Sequence, residues 1–247
     1  GIVYNDVVSI GGLSVPNQAV ESAQEVSDQF SNDTTSSGLL GLGYDAGNTV
    51  SPTKQKTWFS NIGPKLAKNL FTARLRHAAK GSYNFGYIDN SQYSGSITYT
   101  TAYADSRGHR LFNSTGFGTG SGRLANPVPA IADTGSSILA VPNAVAKAYW
   151  SNVSGAQRID QKGQHIWVFT CNTKLPDFTV GVGSTKVVVP GSFINYAKAN
   201  DAGTYCVGGI SSLDGYDNLA ILGDVFLKPN FVVYDDANSR IGFAKGA

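Results

Sequence analysis

The chain has 247 residues, a formal net charge of +2, and is 41% hydrophobic and 11% aromatic. That composition excludes a disordered chain and leaves room for one large domain or two modest lobes with real cores. Its basic residues, among them Lys54, Lys56, Lys65, Lys68, Arg74, Arg76 and Lys80, are scattered, so no nucleic-acid partner is expected. Nor is a membrane partner, because no apolar run is long enough to span a bilayer. Abundant Val, Ile, Thr and aromatic residues with 29 Gly predict a mainly β protein.

In chain order, residues 2–10 followed by Gly11 and Gly12 predict a strand and a hairpin turn, continued by residues 13–20. Residues 31–37 read as a polar loop, residues 57–62 as a short helix and residues 64–70 as a further helical turn. Strands follow at 70–75, 83–88 and 95–100. Gly116, Gly118, Gly120 and Gly122 predict a flexible loop. Residues 142–150 form the strongest helical pattern, with Pro142 in its first turn. The tail, 231–235 and 240–244, reads as a hairpin around Ala237 and Asn238.

Ala130, Ile131 and Ala132 run into Asp133, Thr134, Gly135 and Ser136, and an apolar-apolar-glycine run recurs at Leu39, Leu40, Gly41 and at Ile221, Leu222, Gly223. Hydrolysing an amide without a metal or a nucleophilic side chain needs one group to activate water and another to polarise the carbonyl. Two adjacent carboxyl groups sharing a proton do both. Asp-Thr-Gly suits such a site: the glycine admits close backbone approach, the Thr134 and Ser136 hydroxyls can bond the loop, and the apolar-glycine strand packs across the turn. Taken alone, Asp-Thr-Gly equally fits a plain turn or helix cap.

Cys171 and Cys206 are compatible with one disulfide or with two buried thiols. Sequons at Asn32, Asn113 and Asn152 are candidate glycosylation sites compatible with secretion. Gly41 to Ala46 match a dinucleotide fingerprint, but no acidic residue lies about twenty positions on and no long helix follows, so it is set aside. His77, His109 and His165 are isolated, and no metal site is expected. A nucleophile elbow, Gly-x-Ser-x-Gly, is absent from the sequence.

The order of these features resembles the pepsin-like aspartic proteinases of fungal type: apolar strand, Asp-Thr-Gly-Ser-Ser, helix, cysteine pair, Ile221 to Leu227, and terminal hairpin. Phe85 to Asp89, Leu175 to Phe178, Val189 to Ser192 and Cys206 to Ile210 also look like family segments. The resemblance implies an all-β, pepsin-like fold. Residues 91–247 would form a complete C-terminal lobe, and residues 1–90 a remnant of the N-terminal lobe with the central sheet. It implies Asp133 as the second catalytic aspartate, with Thr134, Gly135 and Ser136 contacting substrate. Phe30 and Leu39 would line the pocket before the scissile bond and Ile221 the pocket after it, although all three also suit ordinary core. His109 falls where the family often has an aromatic residue.

The family's first Asp-Thr-Gly and its flap tyrosine match no residue here. A missing N-terminal segment or light chain is therefore the expected partner, a polypeptide the expected substrate, and no cofactor is implied. The chain is expected to be the larger part of a secreted, extracellular enzyme and inactive in isolation. The alternatives are a truncated, inactive protein that binds peptides or proteins, and a homodimer joining two Asp133 loops.

Overall fold

Gly11 and Gly12 have φ of +57° and +80°, the left-handed pair that a two-residue hairpin turn requires. They join the strands Ile2–Ile10 and Leu13–Ser22 in register from Ile10 opposite Leu13 to Ile2 opposite Ser22, with an irregularity between Asp6 and Val8. The computed structural model describes residues 1–161, 164–213, 215 and 217–247. It divides into two units: residues 1–69 with 104–110, and residues 70–103 with 111–247. Strand accounts for 43% and helix for 14%, as the composition predicts.

In the first unit the expected helix is Trp58–Ile62, capped by the Thr57 hydroxyl, which accepts from the Ser60 N–H at 3.1 Å. Trp58, Phe59 and Ile62 are buried. The Trp58 indole donates to the Val8 carbonyl at 3.0 Å, tying the helix to the hairpin. The further helical turn expected at 64–70 shortens to a 3-10 turn, Gly63–Lys65, with Pro64 inside it. The Arg110 guanidinium lies 4.0 Å from the Tyr44 ring centre and its Nε donates to the Leu42 carbonyl at 3.1 Å.

The second unit is built on a sixteen-stranded mixed sheet. The strands Leu70–Arg74, Asn230–Asp235, Arg240–Gly246 and Tyr93–Ala104 are antiparallel neighbours. Leu70, Phe231 and Val233 form a core cluster with Ile88, Tyr93, Ile97 and Tyr99 against it. Phe71 stacks on Tyr234 at 4.4 Å. The strand expected at 83–88 shortens to Ser82–Phe85, and the one at 95–100 lengthens to Tyr93–Ala104. The tail hairpin forms as expected, its turn gathered by Asp235, which accepts from Asn238 and from Arg240 Nε at 2.7 Å.

The glycines at 116–122 do not form the expected flexible loop. Gly116 and Gly118 lie inside the strand Arg110–Thr119, and only the residues beyond Thr119 turn. A side chain at Gly118 would come within 2.8 Å of the Thr179 hydroxyl of the neighbouring strand, so glycine here answers to close strand packing.

The helix Asn143–Trp150 buries Val145, Ala146, Tyr149 and Trp150, with Pro142 at its N-cap rather than in its first turn. The Trp150 indole donates to the Ile210 carbonyl at 2.9 Å. Cys171 and Cys206 are disulfide-bonded, which settles the open reading of the cysteines. Cys206 lies opposite Phe169 on the adjacent strand. The bond closes a loop of 35 residues, so Cys206→Ser should cost about 4 kcal/mol in the chain-entropy model. Urea denaturation should show this as a lower midpoint with a somewhat steeper slope, because the unfolded chain without the crosslink exposes more surface.

Candidate active site

Asp133 sits at the end of the strand Pro129–Ala132, whose Ala130, Ile131 and Ala132 are buried. Two strands fix that end. Ala220–Leu222 runs parallel to it, with Ile221 opposite Ile131 and Leu222 opposite Ala132. Leu139–Ala140 then pairs antiparallel with Ala220–Leu222 on its other side. The chain therefore leaves Asp133, loops, and returns across the strand that supports it.

The backbone bonds of this crossing are specific. The Asp133 N–H donates to the Leu222 carbonyl at 3.0 Å, and the Asp224 N–H to the Ser136 carbonyl at 2.8 Å. The Gly223 N–H donates to the Ile138 carbonyl at 3.2 Å and the Val225 N–H to the Ser137 carbonyl at 3.2 Å. The loop around Asp133 is thus clamped on both sides of its carboxylate by backbone alone.

Within the loop, Oδ1 of Asp133 accepts the Gly135 N–H at 2.9 Å and Oδ2 accepts the Ser136 hydroxyl at 2.6 Å. Both oxygens are oriented by donors, so the carboxylate has one rotamer rather than several. A side chain at Gly135 would lie 3.2 Å from Oδ1, close enough to disturb that fold-back. Ser136, and not Thr134, supplies the hydroxyl bond among the described residues. Asp133, Thr134 and Ser136 are half-buried and Gly135 is exposed.

Tyr234, which no local sequence pattern marks, also holds the site. The Tyr234 hydroxyl, in a buried strand, donates to the Ala132 carbonyl at 2.9 Å, just before Asp133. The sequence signal was only a tyrosine in an apolar strand, which says nothing of a partner 102 positions away. Tyr234→Phe should cost about 1 to 2 kcal/mol by leaving a buried carbonyl without its donor; thermal unfolding of the two proteins checks this.

Of the other predicted site residues, Ile221 is half-buried one strand from Asp133. Phe30 and Leu39 belong to the first unit and are 46% and 83% exposed. No other carboxyl group is hydrogen-bonded to Asp133 among the described residues. Those residues also contain no cluster of three or more His, Cys, Asp or Glu able to hold a metal.

A carboxylate held by an Asp-Thr-Gly loop, clamped by an apolar-glycine strand, defines an aspartic proteinase type of site. The family model for eukaryotic aspartyl protease matches residues 1–246. Endothiapepsin of Cryphonectria parasitica is 47% identical over 246 residues, covering 99% of this chain and 58% of that protein. Penicillopepsin-1 of Talaromyces stipitatus is 44% identical over 247 residues, covering 100% and 62%. The crystal structure of an aspartic proteinase from Irpex lacteus shares the fold, with a TM-score of 0.82 at 22% identity, over 100% of this chain and 78% of that one. The chain belongs to the eukaryotic aspartyl protease family and has its pepsin-like fold. It spans about three-fifths of the length of the curated relatives it matches.

Proposed function

We propose that this chain forms the larger part of an endopeptidase that hydrolyses polypeptides with a water held between two carboxyl groups. Asp133 is one of them. The second comes from a segment of the same protein outside these 247 residues. The observation that carries the reading is the clamped Asp133 carboxylate, with a donor on each oxygen and no carboxyl partner bonded to it among the described residues.

The chemistry follows from that geometry. The Gly135 and Ser136 donors orient the Asp133 carboxyl group, and a second carboxyl placed beside it would share a single proton with it. The pair then removes a proton from water while protonating the substrate carbonyl oxygen. Nitrogen protonation and collapse of the tetrahedral intermediate return the shared proton. Gly135 and Ser136, at the rim of the loop, contact the substrate backbone, and Ile221 lines the pocket for the residue after the scissile bond. Secretion is proposed on the disulfide and the three sequons.

Exposed apolar side chains in the first unit support a covering segment. Leu39, Leu40 and Phe30 are 83%, 49% and 46% exposed, and large apolar side chains left this open to water fit surfaces that another element covers. The test is digestion of a denatured protein substrate at acid pH. The 247-residue chain alone should show no activity above background, and activity should appear when the preceding segment is expressed with it. Cleavage by the pure chain alone, lost in Asp133→Ala, overturns the two-segment reading.

A further inference from the structure

The helix Asp224–Leu227, which follows the clamp strand, turns Val225 toward a cavity of about 280 Å³ in the second unit. Its lining also includes His77, Ser192, Phe193, Tyr196 and Lys228; Asp133 is not among them. The volume lies just below the usual range of small-ligand sites, roughly 300 to 1,000 Å³, and suits a small occupant. We propose that this cavity binds a carboxylate carried on an aromatic or branched apolar group, such as a small aromatic acid or the free C-terminal residue of a polypeptide.

Three features of the lining select that chemistry. First, the lining contains a cation, Lys228. Lys228 is half-buried in the lining, and its ammonium spends one of three donors on Asp224 Oδ2, at 3.2 Å. Arg74 lies directly behind, its Nη1 donating to the Lys228 backbone carbonyl at 2.8 Å and its Nη2 to the Ala247 carbonyl at 2.6 Å. Arg74 is buried with its Nε unpaired among the described residues, and burial together with the nearby Arg76 weakens its hold on a proton. The Lys228 ammonium, with donors left after its pairing with Asp224, is the cation of the lining that attracts an anion.

Second, the hydrogen-bonding groups suit an acceptor. The Lys228 ammonium, the His77 ring and the Ser192 hydroxyl can all donate, and a carboxylate offers two acceptor oxygens. Third, the remaining wall is apolar and aromatic. Phe193 meets His77 edge-on at 6.2 Å between ring centres, and Val225 and the Tyr196 ring complete the surface. A bare inorganic anion would leave that wall against water. An acid with an adjacent ring or branched chain covers it.

The test is a titration of the whole chain with 3-phenylpropionate and with its alcohol, 3-phenylpropanol, followed by calorimetry and by NMR shifts of the His77 ring. The acid should bind with a dissociation constant of about 1 mM and shift the His77 resonances, and the alcohol should bind about tenfold more weakly. Lys228→Met should weaken the acid by about tenfold, and His77→Ala, on an exposed loop, gives a second variant whose fold is not at risk. Asp133→Asn should leave binding unchanged.

In that Asp133→Asn chain, a hexapeptide ending in free phenylalanine is compared with its C-terminal amide. Tighter binding of the free-acid peptide than of 3-phenylpropionate identifies a polypeptide terminus as the source. Binding of the small acid alone identifies small aromatic acids. The proposal fails if no saturable binding occurs, if acid and alcohol bind equally, or if Lys228→Met binds like the parent.

Discussion

In the enzyme with both carboxyl groups, Asp133→Asn should lower kcat by about 10⁴-fold while shifting the unfolding midpoint little. The size follows from what the substitution removes. Proton transfer by a positioned acid or base contributes about 10² to 10⁴ in rate, and a carboxyl pair supplies both transfers. The small structural effect follows from the loop. Asn keeps an Oδ1 acceptor for the Gly135 N–H, and its Nδ2 can donate to the Ser136 hydroxyl where Oδ2 now accepts from it. Shape and hydrogen-bond count survive, and the titrating proton does not. Steady-state kinetics on a peptide substrate beside a thermal scan checks both halves. A variant within tenfold of the parent would remove Asp133 from the chemistry.

The loop is legible in the sequence because its signal is local. Asp-Thr-Gly-Ser-Ser is contiguous, and the carboxylate bonds to Gly135 and Ser136 span two and three residues. The same holds for the Gly11–Gly12 hairpin, the Thr57 cap and the terminal hairpin, each set by residues within a few positions of one another. Pairing between distant segments has no such signature. The two-residue strand Leu139–Ala140 is too short to show alternation, and its place beside Ala220–Leu222 follows from a crossing some eighty residues long.

The glycine run misled for a related reason. Glycine marks a turn when φ must be positive, but equally marks a strand where another chain comes close. Gly118 is of the second kind, and its neighbour Thr179 lies 61 positions on, outside any local window (179 − 118). Tyr234 was unread because its bond to Ala132 is also distant. The family resemblance supplied the long-range order that periodicity could not, and it did so through the recurrence of apolar-apolar-glycine at two places.

Those two places make the second large prediction. An added Cβ at Gly223 would lie 2.4 Å from the Ser136 carbonyl oxygen and 2.5 Å from that of Ile138. Both are backbone atoms, and both accept from this strand, the Ser136 carbonyl from Asp224 N and the Ile138 carbonyl from Gly223 N. Neither can move without breaking the clamp on Asp133. Gly223→Ala should therefore cost about 3 kcal/mol or more, in the range of severe overpacking, and abolish activity in any protein that still folds. Gly41 holds the corresponding place in the first apolar-glycine run, yet a Cβ there meets nothing within 4 Å. In the 247-residue chain, Gly41→Ala should change stability by under about 0.5 kcal/mol, and restricting the unfolded chain could make it slightly stabilising. When the preceding segment is present, the proposed function seats a second aspartate loop against Gly41. The same substitution should then become as damaging as Gly223→Ala. Denaturation midpoints for both variants, with and without that segment, measure the change. A Gly41→Ala effect that stays small in the longer protein would show that no second loop forms there, and Asp133 would have to find its partner elsewhere.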